Sequence, residues 1–559
     1  MKLVTVEQMK AMEAASDAAG HSYDAMMDRA GAAVAQVVQQ RGAVKGKPPT
    51  ASIGGKRVLV LVGSGNNGGD GLVAARLLRE AGAEVACYLL MPRDDARVTA
   101  AREAGAFIGV LPDDRGLRVL RRFSLGADVV MDALFGTGAR LPLPPDAHKL
   151  LNTVKGDIEA RRNKDAGLTA PVSPAAPAGP LIVAVDGPSG MDFDSGALDV
   201  SALPADVSVT FAYPKIGHTR FPAADACGEL IVADIGVDPA LASGVALELA
   251  DPHMIRRLLP ARPASAHKGT FGKVMIVAGS IHYSGAPALA AAAAYRCGAG
   301  LVTVAAPRTV LPIVASRLTE ATFQPLPDSM GIVSADAVPI LSKALEGYRA
   351  VLIGPGLTHE KEAAAFLERL FGGEAPSNRR MGFSTKSDST APPTRVSLPP
   401  LVLDADGLNV VSGKEEWWKL LPESSVLTPH PGEMARLTRL ERDEVEADRL
   451  GVASRFSQTW GHVVVLKGAF TVVSAPDGRI VVMPFATPAL ATAGSGDVLA
   501  GAIAGLRAQG LNAFDAALCG AYLHGLSGHN ARTEIGKAGV VAGDLLERLP
   551  AAMRQLTGV

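Results

Sequence analysis

Cysteine is scarce in this chain: four in 559 residues, Cys87, Cys227, Cys297 and Cys519, with no CxxC spacing. That excludes a disulfide scaffold and the common zinc and redox motifs, and it suits a reducing compartment. A surplus of one charge is lacking too. The 55 Lys and Arg against 56 Asp and Glu leave a formal net charge of -1, which makes no electrostatic case for nucleic acid or an anionic membrane as the main partner. The opening MKLVTVEQMKAMEAASDAAG carries Glu7, Glu13 and Asp17 where a secretory leader needs an apolar run, so none is expected. One uncharged stretch, residues 274–295, has the length of a membrane span. It contains Gly279, Ser280, His282, Ser284, Gly285 and Pro287 and reads better as strand, polar loop and Ala-rich helix. Apolar residues are plentiful, 48% against 20% charged, which permits sizeable cores and argues against disorder. A cytoplasmic protein with more than one core is expected.

Short β-branched runs recur, each followed by a Gly-rich turn and an Ala/Leu-rich helical stretch; residues 57–62, 84–90, 128–134, 181–185, 273–278, 350–354, 401–404 and 463–466 are examples. The alternation predicts an α/β protein built on parallel sheets with crossover helices. Residues 140–180 and 373–400, rich in Pro, Ser and Thr, read as surface insertions without apolar periodicity. The domain boundary is placed near residues 238–265, giving α/β domains at 1–240 and 250–559.

In the first half, LVLVGSGNNGGDG at residues 59–71 satisfies GxGxxG at Gly63, Gly65 and Gly68, between a strand and a helix. Such turns can cradle a pyrophosphate, although many exist for packing alone. The run Asn66, Asn67, Gly68, Gly69, Asp70 is more specific, because two amides and a carboxylate crowd oxygen ligands into one turn; a plain Asx turn needs one. Two further strand ends pair an acid with glycines, Asp132 in MDALFGTG and Asp186 in VDGPSG. In an open parallel sheet all three should converge on one crevice at the strands' carboxyl ends. A dehydrogenase reading of GxGxxG wants a ribose-binding acid about 20 residues on. Asp94 and Asp95 come late for that, and the Asn-Asn-Gly-Gly-Asp run has no part in it.

These segments, with LVTVEQMKAMEAAS and TFAYPKIGHTRFPAADACGELIVADIG, resemble the NAD(P)H-hydrate epimerase family over most of residues 1–238. The family interconverts the R and S forms of reduced nicotinamide cofactor hydrated at C6, and a Rossmann-like three-layer domain is implied. By the resemblance, Asn67, Asp132 and Ser189 would hold a potassium ion. The turn Asn66, Asn67, Gly68, Gly69, Asp70 and the loop Gly136, Thr137, Gly138, Ala139, Arg140, Leu141, Pro142 would contact the hydrate. Asp186 would be the acid/base at C6, a role suited to a carboxylate facing a carbinolamine. Oxygen-only ligands suit a hard cation. Gly187 departs from the family, which often has an apolar residue there.

The sharpest motif of the second half is Ala493, Gly494, Ser495, Gly496, Asp497, followed by the helical VLAGAIAGLRAQG. Successive amides at a helix start form an anion hole, and Asp497 is placed to take a proton from a hydroxyl attacking a phosphoryl group. A plain Gly-rich helix start is the bland alternative. Lys467 ends a strand run and could meet phosphates or be a solvated surface charge; LDADGLN puts Asp404 and Asp406 at another strand end; His430 stands between two prolines before a helix, as a rigid loop ligand or a structural residue.

HKGTFG, GSIHYSGAP, IGPGL, LDADGLN, LTPHPGEMARL, VLKGAFT and ATAGSGDVLAG resemble the ADP/ATP-dependent NAD(P)H-hydrate dehydratases, a branch of the ribokinase-like superfamily, from about His267 onward. The resemblance implies that Ala286, Gly356 and His430, with Asp497, contact the hydrate. It places Lys467, Gly468, Ala469, Phe470 and Thr471 on the nucleotide, with the amides of Gly494, Ser495 and Gly496 as phosphate clamp and Asp497 as base. Magnesium is expected with the nucleotide, and the fused bacterial type uses ADP. Thr487, Ala489 and Leu490 depart from the usual Asn-Pro-Gly-Met-Ala-Thr, while Pro488, Ala491 and Thr492 are kept. Together the halves imply repair of NADH-hydrate and NADPH-hydrate, with a homo-oligomer expected and no nucleic-acid or membrane partner. The rivals are a ribokinase-like small-molecule kinase with an accessory nucleotide-binding domain, and a degenerate NAD-binding module without turnover.

Overall fold

A computed structural model of the chain describes residues 1–42, 53–164, 179–372 and 396–558. It divides into two compact units, Lys2–Val245 and Ala246–Val559 together with Met1. Both are α/β, as the alternating runs predict.

The first unit holds β1 (Arg57–Val62), β2 (Glu84–Leu89), β3 (Phe107–Val110), β4 (Val129–Ala133), β5 (Leu181–Val185), β6 (Val207–Phe211) and β7 (Glu229–Ala233). They pair in parallel in the order β3-β2-β1-β4-β5-β6-β7. Strand direction of growth reverses between β1 and β4, which opens a crevice at their carboxyl ends. The period of two along β1 separates two cores. Val58, Val60 and Val62 pack with Val34 and Val38 of helix Tyr23–Gly42 and with Leu72 and Leu78 of helix Asn66–Glu80, whereas Leu59 and Leu61 pack with Leu150, Leu151 and Val154.

Those last three residues correct the sequence reading of residues 140–180. Pro145–Lys164 is a helix, with Ala147, Leu150, Leu151, Val154 and Ile158 buried. Their spacing of three and four is a helical stripe, and the prolines on either side disguised it. Residues 165–178 and 373–395 of the two expected insertions lie outside the described residues.

The second unit holds β8 (Leu247–Leu249), β9 (Lys273–Val277), β10 (Leu301–Pro307), β11 (Thr322–Leu326), the short pair β12 (Asp328–Ser329) and β13 (Ile332–Val333), β14 (Ala350–Ile353), β15 (Leu401–Leu403), β16 (Val426–Leu427), β17 (Val463–Leu466), β18 (Val472–Ser474) and β19 (Ile480–Val482). The ten-stranded sheet runs β11-β10-β9-β14-β15-β16-β17-β18-β19-β8 and is parallel except around β18. Val274 and Ile276 of β9 join one core and Met275 and Val277 the other, so this sheet too is covered on both faces. Residues 274–295 form β9, a loop and helix Ala286–Arg296, and no helix of the described residues is long and apolar enough to cross a membrane. Helix Ser495–Ala508, which carries the glycine turn at its start, lies against helix Ala286–Arg296 so closely that a Cβ on Gly501 would come within 2.1 Å of the Ala290 carbonyl.

Candidate active sites

In the first unit a cavity of about 550 Å³ opens at the β1/β4 reversal. Asn66, Asn67 and Asp70 line it from the start of helix Asn66–Glu80, Gly136, Thr137, Gly138 and Ala139 from the loop after β4, and Asp186 from the end of β5. Gly68 and Gly69 are buried in the helix start; Arg140, Leu141 and Pro142 do not line the cavity.

Asp132 and Ser189 meet beside it. The Ser189 hydroxyl donates to Asp132 Oδ1 at 2.5 Å, the Ser189 amide donates to Oδ2 at 2.8 Å, and the Phe135 amide donates to Ser189 Oγ at 2.9 Å. Asp132 is fully buried, has no ion-pair partner among the described residues, and burial raises its carboxyl above the ordinary value despite those donors. The Asn67 carboxamide is buried, its nitrogen has no partner among the described residues, and its oxygen lies beside Gly136.

Asp186 is tightly constrained by its surroundings. Its φ of 65° is left-handed backbone, the kind of strain that sites tolerate when their surroundings fix it. The Lys215 ammonium donates to Oδ1 at 2.7 Å and to Thr210 Oγ1 at 2.9 Å, and the Thr210 hydroxyl donates to Oδ1 at 2.8 Å. His218 Nδ1 accepts the Lys215 amide at 3.0 Å, which leaves Nε2–H to donate to the Asp186 carbonyl at 2.9 Å. Burial pushes the Asp186 carboxyl up, but Lys215, His218 and Thr210 outweigh it and hold it below the ordinary range. Burial and Lys215 together push His218 down to about 4, so it is neutral at physiological pH. The free oxygen of an ionised carboxylate therefore faces the cavity.

Lys215 sits in the Tyr-Pro-Lys of TFAYPKIGH, to which sequence reasoning gave no role, and it reaches a partner 29 residues earlier. Lys215→Met should leave Asp186 charged and unpaired in the interior, at a cost of about 3–5 kcal/mol of unfolding free energy. Denaturant titration of the first unit's transition measures it. Gly187 is also accounted for, because a Cβ there would come within 2.9 Å of the Phe193 ring and 3.2 Å of Met191 Sδ. Phe193 takes the room that an apolar side chain at 187 would need.

In the second unit the acidic strand end and the glycine turn meet through Lys467. Its ammonium donates to Asp404 Oδ1 at 2.8 Å and lies 3.6 Å from a Glu433 oxygen, while the Thr428 hydroxyl donates to Asp404 Oδ1 at 2.7 Å. Lys467 is no solvated surface charge: burial pushes its ammonium down, and Asp404 and Glu433 more than restore it. A Cβ on Gly496 would sit 3.6 Å from Nζ, so the ammonium faces the glycine turn. Gly494 has φ 88° and precedes helix Ser495–Ala508; the Ser495 amide donates to the Thr492 carbonyl at 3.3 Å, and the amides that follow it at the helix start lie before the first intrahelical acceptor. The Ser495 hydroxyl turns away to donate to the Leu490 carbonyl at 2.8 Å. Burial and the nearby Asp404 raise Asp497 to about 7 against the pull of Lys467, a value suited to a base near neutrality.

Gly356 and Ala286 come together around Tyr283; with φ 66° at Gly356, a Cβ there would lie 2.7 Å from Tyr283 Cβ and 3.1 Å from Ala286 Cβ. His430 caps helix Pro431–Thr438, its Nδ1 accepting the amides of Gly432 at 3.0 Å and Glu433 at 3.3 Å. That engagement is structural, and Nε2 of the half-exposed ring lies 3.4 Å from Glu433 Oε1. Gly468 and Ala469 are exposed, Gly468 beside the Arg449 guanidinium, which donates to the carbonyls of Leu466 and Lys467; the Thr471 hydroxyl donates to the Gly468 carbonyl, and the Phe470 amide to that of Phe485. The departing loop is well seated: Thr487 Oγ1 accepts the Ala489 amide, and Leu490 covers Gly528. The carboxylates Glu433 and Asp404 carry no sequence motif for their joint hold on Lys467.

Comparison with known proteins gives these two sites a context. A family model described as NAD(P)H-hydrate dehydratase matches residues 274–551, and one described as YjeF-related protein N-terminus matches residues 23–217. The bifunctional NAD(P)H-hydrate repair enzyme of Moorella thermoacetica is 38% identical over 523 residues, 90% of this chain and 88% of that protein. The chain belongs to this family. The enzyme of the same name from Thermofilum pendens is 34% identical over 566 residues, 100% of this chain and 97% of that protein. Among solved structures, the ADP/ATP-dependent NAD(P)H-hydrate dehydratase of Bacillus subtilis, co-crystallised with ATP and Mg2+, is 28% identical with a TM-score of 0.45, covering 55% of this chain and 98% of that one. Family membership makes this chain a bifunctional epimerase and dehydratase of hydrated nicotinamide cofactors, and it disfavours both a small-molecule kinase with an accessory nucleotide-binding domain and an inert binding module.

Proposed function

We propose that the first unit epimerises NADH-hydrate and NADPH-hydrate at C6 through Asp186, and that the second unit dehydrates the S form at the expense of ADP through Asp497. The observation that carries this is the presence, on one chain, of an ionised strand-end carboxylate facing a ligand-sized cavity and a carboxyl near neutrality beside an anion-binding turn. Asn67, Asp132 and Ser189 offer oxygen ligands fit for potassium, and the unpaired buried charge of Asp132 supports a monovalent cation there. Bound potassium would supply charge balance and hold the loop after β4.

Among the described residues no three His, Cys, Asp or Glu side chains stand together as a metal cage. Asp404 and Glu433 are committed to Lys467. Magnesium would accordingly enter on the nucleotide's own phosphates.

In dehydration, Asp497 takes the proton from the C6 hydroxyl as its oxygen attacks the β-phosphoryl group and AMP leaves. Lys467 and the amides of Gly494 and Gly496 meet the phosphoryl charge, while the Ser495 amide is held by the Thr492 carbonyl. The C6–O bond then breaks with its electron pair on phosphate, a proton leaves C5, and the reduced nicotinamide ring is restored. A cytoplasmic location suits the four free, buried cysteines.

Phosphorus NMR of the reaction with S-hydrate and ADP tests the elimination. AMP and orthophosphate should appear in equal amounts with the reduced cofactor. A persistent phosphate ester on the hydrate would instead mark a small-molecule kinase.

A further inference from the structure

The cavity of the first unit holds a second acid that the reading above leaves idle. Glu13 comes from helix Val6–Ala18, fixed by buried Met9 and Met12, and its side chain reaches the same cavity as Asp186. Its carboxyl has no hydrogen-bond or ion-pair partner among the described residues, and the residue is half-buried. The charged groups around it are Lys10 on its own helix, Asp186, Lys215, and Asp70, which feels the Glu13 charge in return.

Resting on the epimerase reading of this cavity, we infer that Glu13 is a catalytic proton donor working with Asp186 as proton acceptor. The chemistry asks for two groups. C6 of a carbinolamine inverts when the ring opens: the O6–H bond breaks, a C6–O double bond forms, and the C6–N1 bond breaks with its electron pair on N1. One group removes the proton from O6, and another supplies one to N1; rotation about C5–C6 and the reverse steps close the ring on the other face with no net change of atoms or electrons. Asp186, with Oδ1 occupied by Lys215 and Thr210, has one free oxygen and no proton to give. Burial raises the Glu13 carboxyl above its ordinary value, whereas Asp186, despite its own burial, is held below its ordinary value by Lys215. Two acids whose surroundings drive them apart are the usual mark of an acid and base pair. Asp70 lines the same cavity one turn beyond Asn67 on helix Asn66–Glu80, and burial, Asp186 and Glu13 raise its carboxyl well above the ordinary range, so it is the rival donor that the test must separate from Glu13.

The test uses the full chain, purified R-NADH-hydrate and no nucleotide, following the R and S forms chromatographically across pH. The wild type should give a bell-shaped profile. Glu13→Gln should lower kcat by about 10²-fold or more with KM little changed and should lose the alkaline limb, and Glu13→Asp should recover part of both. Unchanged dehydration of S-hydrate with ADP, plus an unchanged melting transition of the first unit, controls for folding. If Glu13→Gln keeps its rate within about threefold and both limbs, or if Asp70→Asn removes the alkaline limb in its place, the inference is overturned while the epimerase reading stands. No acceleration by the wild type over spontaneous epimerisation overturns the reading and the inference together.

Discussion

Asp497→Asn is expected to lower kcat/KM for ADP-dependent dehydration of S-hydrate by about 10²–10⁴-fold, the range over which a positioned general base contributes. The substitution keeps size and polarity and removes the proton acceptor. Because the clamp amides and Lys467 are untouched, ADP binding measured by calorimetry should change little. A pH profile tests the same residue without substitution. With Asp497 raised to about 7 and acting as the proposed base, kcat/KM should climb about tenfold per unit below that value and flatten above it. A profile flat between pH 5 and 8 in the wild type would remove Asp497 from the chemistry.

The second large effect concerns the first unit. Asp186→Asn should abolish enzymatic epimerisation, again by about 10²–10⁴-fold, and leave dehydration of pure S-hydrate intact. In a mixture with ADP, the S fraction should be consumed at the wild-type rate and the R fraction should persist, declining at the spontaneous rate. Equal rates for wild type and variant on pure R-hydrate would remove Asp186 from the reaction.

The architecture and the strand-end place of Asp186 were legible in the sequence for a physical reason. Parallel strands buried on two faces read as unbroken apolar runs, and a ligand site at their carboxyl ends puts its acids and glycines directly after those runs, as in Asp132, Asp186 and Asp404. What surrounds them was not legible. Lys215, Thr210 and His218 reach Asp186 across a strand boundary, and Glu433 and Thr428 reach Asp404 and Lys467 from other elements; pairings at such separations leave no local pattern. Helix Pro145–Lys164 was misread because proline-rich flanks hid a regular apolar stripe. Ser495 and His430 showed a different limit: their amino-acid types announce polar loop residues, while the structure spends the Ser495 hydroxyl and His430 Nδ1 on holding the loops themselves.

The central claim is that this chain returns both hydrate epimers to reduced cofactor. The most direct measurement is the near-ultraviolet absorbance of reduced nicotinamide, starting from mixed R- and S-NADH-hydrate with ADP, magnesium and potassium. The account predicts recovery of the whole mixture, faster than spontaneous epimerisation allows. Recovery that stops at the S fraction, or no recovery with either ADP or ATP, would contradict it.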